Sequence, residues 1–290
     1  DYFGYSVAIS GNYAIVGANG KSSYLGAAYI FDVTSGTQLH KITASDGATN
    51  SNFGNSVAIS GNYAIVGADA ADIDGTNSGR AYIFNVATGT ELHMLSSNDI
   101  TGGDAFGNSV AISGNYAIVG AKGDDDGGGN SGSAYIFNVQ TGAQLHKLVD
   151  TDGEANDDFG QSVAISGNYA IVGARQYRNG VSPNRGAVFM YDVISGTEIK
   201  KITASDAADD DYFGHAVAIS GNYAIVGAPN NDDDGNNSGC AYIYGPTEPS
   251  VPMLSITDNE NMVVNGNTYF AGSLNGPILA DDGLYDFTSH

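Results

Sequence analysis

The segment FGNSVAISGNYAIVGA (53–68) recurs in nearly the same form five times, and this repetition constrains the fold more than any other feature of the sequence. The copies lie about 50 residues apart, a period typical of solenoids and propellers, in which each unit covers its neighbours. We divide the array (1–247) into repeats that begin near residues 1, 51, 104, 157 and 211. A tail of unrelated sequence, 248–290, follows them.

Each repeat predicts four short strands. In 53–100, SVAIS and YAIVGA flank a Ser-Gly-Asn turn, RAYIFNV follows an acidic loop, and ELHML follows the turn ATGT. The first two strands are apolar on both faces and need cover on both, whereas ELHML alternates as an outer strand does. We therefore predict an all-β fold, a β-propeller of about five four-stranded antiparallel blades plus a C-terminal β-rich tail. A stacked β-solenoid is the alternative; five blades can close a ring, and further repeats could precede Asp1.

The charge of the chain limits its partners. Its 290 residues include 32 acidic and 10 basic residues, a formal net charge of −22. Such a surface repels nucleic-acid phosphates and anionic lipids, so we expect no nucleic-acid partner. No run of 18 apolar residues occurs, so we also expect no membrane insertion. The opening DYFG, which lacks Met and recurs at 211–214, indicates processing or a longer precursor.

The pattern FGxSVAISGxxAIVGA, followed by DDDGxNSGxAYIF, resembles the FG-GAP repeat family in its bacterial form, with a short first turn. The resemblance covers about residues 1–247. It implies a β-propeller and, by association with the integrin α-subunit head, extracellular adhesion or recognition rather than a defined reaction. Integrin-type repeats carry a calcium loop between the first two strands; here every copy has only Ser-Gly-Asn at that place.

Carboxylates cluster instead between the second and third predicted strands, in the loops 69–79, 122–132 and 230–239. Each loop pairs carboxylates around a glycine and ends in Asn-Ser-Gly, an oxygen-rich arrangement that suits calcium at millimolar affinity. The alternative is a solvated turn in which Asp bonds to its own backbone. The candidate calcium ligands are Asp72, Asp74, Asp124, Asp126, Asp232 and Asp234.

Repeat four departs from this pattern, because its corresponding loop is basic and contains Arg175, Arg178 and Arg185. These arginines either neutralise neighbouring acids or dock on the acidic loops of another copy, a head-to-tail contact that can build a filament.

Residues that suggest chemistry do not form a catalytic pattern. His40, His93 and His146 fall on three different outer strands, too far apart to share zinc. Neither a Ser-His-Asp order nor a phosphate-binding glycine loop occurs, so we expect no enzyme, and a glycan hydrolase is the least favoured reading.

The tail begins with the proline-rich linker PTEPSVP and continues with the predicted strands MLSIT, NMVVN and TYFAG. MLSIT either completes the fifth blade or, with its hairpin, adds strands to another molecule. The second arrangement makes an interface of Met253, Ile256, Val263, Val264, Tyr269 and Phe270.

These features together predict a non-enzymatic, extracellular or cell-surface structural and adhesive propeller that self-associates through its tail into a homo-oligomer or filament. A calcium-assisted module that binds glycan or protein is the alternative. Asn236, in the sequon Asn-Asn-Ser, is a candidate glycosylation site.

Overall fold

The computed structural model describes residues 1–47, 49–178, 184–232 and 235–245, together with the backbone of three short strands beyond them. The described residues form five antiparallel sheets, each a meander in sequence order, and one helical turn. This architecture confirms the all-β propeller prediction and excludes the β-solenoid.

The sheets are blades one to five. Blade one contains β1 (Ser6–Ser10), β2 (Tyr13–Gly17), α1 (Lys21–Tyr24), β3 (Ala28–Asp32) and β4 (Gln38–Ile42). Blade two contains β5 (Val57–Ser60), β6 (Tyr63–Ala68), β7 (Arg80–Asn85) and β8 (Glu91–Leu95). Blade three contains β9 (Ser109–Ser113), β10 (Tyr116–Ala121), β11 (Ser133–Asn138) and β12 (Gln144–Leu148). Blade four contains β13 (Phe159–Ser166), β14 (Tyr169–Ala174), β15 (Ala187–Asp192) and β16 (Glu198–Ile202). Blade five contains β17 (Ala216–Ser220), β18 (Tyr223–Ala228) and β19 (Cys240–Tyr244), and its sheet continues through β20 (Leu254–Thr257), β21 (Asn261–Val264) and β22 (Asn267–Phe270).

The apolar cores lie between the blades. Ile65, Ile83 and Leu95 of blade two share one core with Phe106 and Val110 of blade three. Three further cores join blades one and two, three and four, and four and five in the same way. Because a four-stranded sheet buries its faces only against its neighbours, the blades stabilise one another in series.

A phenylalanine that opens each later blade anchors it to the blade before. The ring of Phe106 is fully buried and packs on Tyr135 and Phe137, with ring centroids 5.4 and 5.9 Å away. On its other side the backbone meets a glycine, and a Cβ on Gly79 would lie 2.1 Å from the Phe106 carbonyl oxygen. A side chain at this glycine would therefore force the blades apart. The four bridges are Gly26 with Phe53, Gly79 with Phe106, Gly132 with Phe159 and Gly186 with Phe213.

Blade five and blade one share no seam among the described residues. In this part of the chain, no hydrogen bond, β-bridge or buried core joins the two blades. Phe3, the counterpart of the four buried phenylalanines, is 59% exposed.

The tail completes its own blade. β20 pairs antiparallel with β19, with Ala241 opposite Ile256, and β21 and β22 extend the same sheet. This pairing is the arrangement in which MLSIT supplies the fourth strand of blade five. It leaves the edge of β19 occupied, so a strand from another molecule cannot pair there.

Among the described residues, no helix has the length and apolar character needed to cross a bilayer.

We expect Phe106→Ala to lower the free energy of unfolding by about 3–5 kcal/mol, because it empties the seam between blades two and three. Phe3→Ala should cost less than about 0.5 kcal/mol, since the same side chain is largely exposed there. The shift in the midpoint of urea unfolding measures both, at a protein concentration low enough to keep the chain monomeric. Equal losses would mean that Phe3 is covered in solution as fully as Phe106.

Candidate functional site

The acidic loops share one rim of the array with the segments that connect successive blades. In an antiparallel meander, the loop between the second and third strands and the connector after the fourth strand leave from the same end of the sheet. We call this end the acidic rim, made of the loops 69–79, 122–132 and 230–239 and the connectors 43–52, 96–105, 149–158 and 203–212. The opposite end carries the two-residue Gly-Asn turns, as predicted.

Two of the predicted calcium ligands bond to their own loops. Asp72 Oδ1 accepts a hydrogen bond from the backbone N–H of Asn77 at 2.7 Å, and Asp232 Oδ1 accepts one from that of Asn237. In blade three the same bond, 2.7 Å long, joins Asn130 to Asp125 rather than to Asp124. Counting five residues back from the Asn of Asn-Ser-Gly identifies this aspartate, which the sequence analysis passed over. Asp234 lies outside the described residues.

Asp124 instead belongs to a group of three carboxylates at the seam between blades two and three. One oxygen each of Asp99, Asp124 and Asp126 lies within 4.8 Å of the others, the spacing that a metal ion requires. The ammonium of Lys147, on the outer strand β12, contacts all three, at 2.7, 3.1 and 2.5 Å respectively. Asp124, which is buried, also accepts a hydrogen bond from the Tyr135 hydroxyl at 2.8 Å. The single positive charge of Lys147 therefore offsets one of the three negative charges of the group.

The ionisation of this group follows from its contacts. Burial works to lower the pKa of Lys147, but hydrogen bonds to Asp126 and Asp99 outweigh it and hold that pKa above its usual value. Burial works to raise the pKa of Asp99, but hydrogen bonds from Lys147 and Ser97 outweigh it and lower that pKa. Both shifts favour the charged pair at neutral pH.

The neighbouring seams use the same chemistry with other residues. At the seam of blades one and two, Arg80 pairs with Asp46 at 3.1 Å and reaches the predicted ligand Asp74 at 3.6 Å. At the seam of blades three and four, Lys201 pairs with Asp150 at 3.1 Å. In each case a cation of the later blade bonds an acid of the connector that precedes it.

The histidines also join blades, a role that the sequence analysis missed. His93 Nε2 lies 2.9 Å from the carbonyl oxygen of Gln140, in the turn of the following blade. A Cβ on Gly142 would come within 2.8 Å of the His93 ring, so glycine makes room for the imidazole. His40 and His146 make equivalent contacts with Ala87 and Ile194. The sequence does contain a signal for this contact: each of these outer-strand histidines is followed, in the next repeat, by a turn that contains Thr-Gly or Ser-Gly.

A buried aspartate before three of the Phe-Gly pairs was missed as well. Asp157 has no exposed surface; its Oδ2 accepts the backbone N–H of Glu154 at 2.7 Å. Within the described residues its Oδ1 has no hydrogen-bond partner. Burial, with a smaller contribution from nearby acids, raises the pKa of Asp157 to about 6. Asp104 and Asp211 occupy the same position, and burial raises their pKa too.

The predicted interface residues of repeat four lie close to acids of their own chain. Arg175 pairs with Asp158 at 3.0 Å, and Arg185 pairs with Asp209 at 3.1 Å. The charge of Arg178 offsets a small part of the rise that burial causes in the pKa of Asp157. These contacts match the neutralisation of neighbouring acids that the sequence analysis weighed against docking.

The remaining predicted site residues lie in blade five and the tail. Asn236 is exposed in its loop, as a glycosylation acceptor must be. Met253 lies outside the described residues, and so do the side chains of Ile256, Val263, Val264, Tyr269 and Phe270, whose backbone belongs to β20, β21 and β22.

Comparison with known proteins gives one family. A family model described as FG-GAP repeat matches five segments of the chain: 1–31, 37–84, 90–137, 143–191 and 197–244. No curated protein matches the chain. Each matched segment after the first starts at the outer strand of one blade and ends on the third strand of the next.

We expect Lys147→Met to lower the free energy of unfolding by about 1–2 kcal/mol at pH 7, because it leaves buried Asp124 beside two further carboxylates without a cation. Asp99, with its lowered pKa, stabilises the fold above its usual pKa, and this contribution is lost as the pH falls through the lower folded value. The difference between variant and wild type should therefore shrink below about pH 4.

Urea unfolding at several pH values measures this difference. Lys41→Met is the matched control, because Lys41 occupies the same strand position in blade one and is exposed. If Lys41→Met lowered the free energy of unfolding as much as Lys147→Met, the stabilising role assigned to the Lys147 ion pairs would be contradicted. Blade two already carries Met94 at this position, so methionine fits the strand.

Proposed function

The chain belongs to the FG-GAP repeat family, and from this we propose that it is a non-enzymatic structural and adhesive propeller that works outside the cell or on its surface by associating with further copies of itself. The family and the propeller fold are the premise. The mode of action is inferred from how the chain uses its polar side chains.

The observation that carries the proposal is that side chains suited to chemistry join the blades instead. Lys147 contacts all three carboxylates of the group, and His93 bonds to the next blade. Catalytic acids and bases need open positions beside a substrate, whereas these residues already have partners across the seams. Because equivalent polar residues serve as structural contacts in successive seams, a structural or adhesive role is favoured over hydrolysis of a substrate.

The proposed location rests on the family and on surface chemistry. FG-GAP repeats are typical of extracellular proteins. The net charge of −22 keeps the surface soluble, and exposed Asn236 offers a place for glycan.

The proposed self-association draws support from the free edge of the tail's last strand. In the described residues the outer edge of β22 has no partner strand, so a strand of another chain could add there.

We expect the purified chain to show a weight-average mass that rises with protein concentration, as measured by sedimentation equilibrium, and to give elongated particles in negative-stain images. Turnover of a panel of glycans should stay at the uncatalysed rate.

A single monomeric species across the whole concentration range would remove self-association from the proposal. If the chain hydrolysed any glycan, and substitution of an exposed acidic residue abolished that activity, the proposed non-enzymatic function would be wrong and the protein would be an enzyme.

Calcium-assisted binding is the second candidate function, and the group of Asp99, Asp124 and Asp126 is what favours it. Calcium prefers several oxygen ligands, of which this group offers three carboxylates. The ammonium of Lys147 competes for the same oxygens. Calcium binding would have to displace it.

We expect millimolar calcium to leave the melting temperature of the wild-type chain unchanged, because Lys147 holds the carboxylates, and to raise that of Lys147→Met. Differential scanning calorimetry with and without a chelator measures both. Magnesium at the same ionic strength is the control for screening. Stabilisation of the wild type by calcium alone would make the calcium-assisted module the better proposal.

A further inference from the structure

One aspartate at the seam between blades three and four is buried without a cation. Asp157 belongs to the connector 149–158, lies two residues before the anchoring Phe159 and has no exposed surface. Its neighbour Asp158 pairs with Arg175 at 3.0 Å, but no ion pair of the described residues includes Asp157. A buried acid without an opposite charge is costly to ionise, so this position needs a physical explanation.

The hydrogen bonds of Asp157 satisfy only part of its carboxyl group. Its Oδ2 accepts the backbone N–H of Glu154 at 2.7 Å, which closes a turn within the connector. Its Oδ1 has no hydrogen-bond partner in the part of the chain that the structure describes. An oxygen that is cut off from water and from donors costs far more in a carboxylate than in a neutral carboxyl group. The geometry therefore favours the neutral form.

The charged groups around Asp157 reinforce this preference. Burial is the main cause that raises its pKa to about 6, and the charges of Asp150 and Glu154, on the same connector, add to the rise. Arg178, on the loop after β14, acts in the opposite direction and offsets a small part of it. The surroundings thus supply two acids against one base.

The contacts of the connector with the neighbouring blades are uncharged backbone bonds. Three N–H groups bond to carbonyl oxygens of the loop 122–132 in blade three, at 2.8 to 3.3 Å; the pairs are Asn156 with Gly129, Asp158 with Asn130 and Phe159 with Ser131. On the other side, the carbonyl oxygen of Asp157 accepts the N–H of Gln176 from blade four at 3.2 Å. Asp157 therefore lies within the set of bonds that holds the connector between two blades.

A metal ion does not account for the unpartnered oxygen. In the described ranges, the only three acidic, histidine or cysteine side chains whose ligand atoms converge are Asp99, Asp124 and Asp126, at another seam. Calcium requires six to eight oxygens, and Asp157 belongs to no such group. The positive species that a single buried carboxyl group can hold is a proton.

We propose that Asp157 makes the seam between blades three and four sensitive to pH. In mildly acidic surroundings Asp157 holds a proton and the connector stays packed. In neutral or alkaline surroundings Asp157 is charged, and the connector opens more readily because opening brings the carboxylate into water. This response goes beyond the proposed self-association and does not depend on it.

The direction and the pH window follow from the two states of the chain. The folded-state pKa of about 6 lies above the ordinary value for aspartate, about 3.9. The stabilisation that the proton provides is complete below about pH 4 and is lost as the pH rises to about 6. A difference of about two pKa units corresponds to roughly a 100-fold change in the equilibrium constant for unfolding.

The chain offers an internal comparison. Repeat two has Ser51, which is also buried, at the position of Asp157. Asp104 and Asp211 occupy this position in the other repeats, but acidic loops with candidate calcium ligands lie near them. The corresponding loop of blade four contains none of those ligands, so Asp157 is the residue to test.

The first measurement is the titration of the aspartate carboxyl groups in the folded wild-type chain, followed by NMR of the labelled carboxyl carbons with a chelator present. We expect one signal, absent from Asp157→Asn, to titrate near pH 6. A titration of this signal at or below about pH 4 would show that the site does not hold a proton. If no aspartate of the wild type titrates above about pH 5, the inference is wrong whether or not the variant folds.

Urea unfolding at several pH values tests the consequence for stability. Asp157→Asn and Asp157→Ser both remove the charge, and the second introduces the residue that repeat two already uses. Asp152→Asn is the matched control, because Asp152 lies on the same connector with 81% of its side chain exposed.

We expect the unfolding equilibrium constant of the wild type, relative to that of each uncharged variant, to rise by roughly 50-fold between pH 4 and pH 7. Relative to Asp152→Asn it should change by less than about threefold.

Two results of these experiments would also overturn the inference. A difference between wild type and Asp157→Asn that is the same at every pH would mean that the carboxyl group serves packing and hydrogen bonding alone. A titration that moves when calcium replaces the chelator would mean that a metal ion, and not a proton, occupies the position. Neither result bears on the mass measurements that test self-association, so the two proposals fail separately.

Discussion

The fold depends on one constraint, which is that a four-stranded blade with apolar residues on both faces cannot exist uncovered in water. Each internal seam meets this constraint by burying an opening phenylalanine and an isoleucine of the preceding blade. Two β-branched residues of the first strand are also buried at the first three seams and partly buried at the fourth. At roughly 1.5–3 kcal/mol for each large apolar side chain, such a seam outweighs any single polar contact around it. The ion pairs and histidine bonds at the edges fix the angle and register of blades that the core already holds together.

Close approach of the blades explains one recurring set of glycines. At Gly67 a Cβ would lie 2.0 Å from the carbonyl oxygen of Gly107, so even alanine would push two blades apart. The first two strands carry small residues for this reason, while bulk is concentrated in the third strand and in the opening phenylalanine. The buried aspartates lie beside these contacts, and the raised pKa of Asp157 indicates that its charge is costly at this position.

Much of the architecture could be predicted from the sequence, because the same pattern of strands and turns can be recognised independently in each of the five repeats. The strands, the turns, the grading from inner to outer strand and the position of the acidic loops followed from period and polarity. The partners of single side chains did not. The sequence placed His93 on an outer strand but did not reveal its partner, because that partner lies in the next repeat. Asp124 looked like the counterpart of Asp72 because the two loops contain different numbers of acids.

The boundaries of the matched family segments have a consequence for what one repeat unit can form alone. Each segment after the first begins with the outer strand of one blade, and that strand pairs with the third strand of the same blade, which lies in the segment before, as β8 pairs with β7. The buried contacts of a seam are divided in the same way, because Ile65 and Gly79 lie in one segment and Phe106 in the next. A single segment is therefore not a blade: it depends on the segment before it for both its sheet and its core.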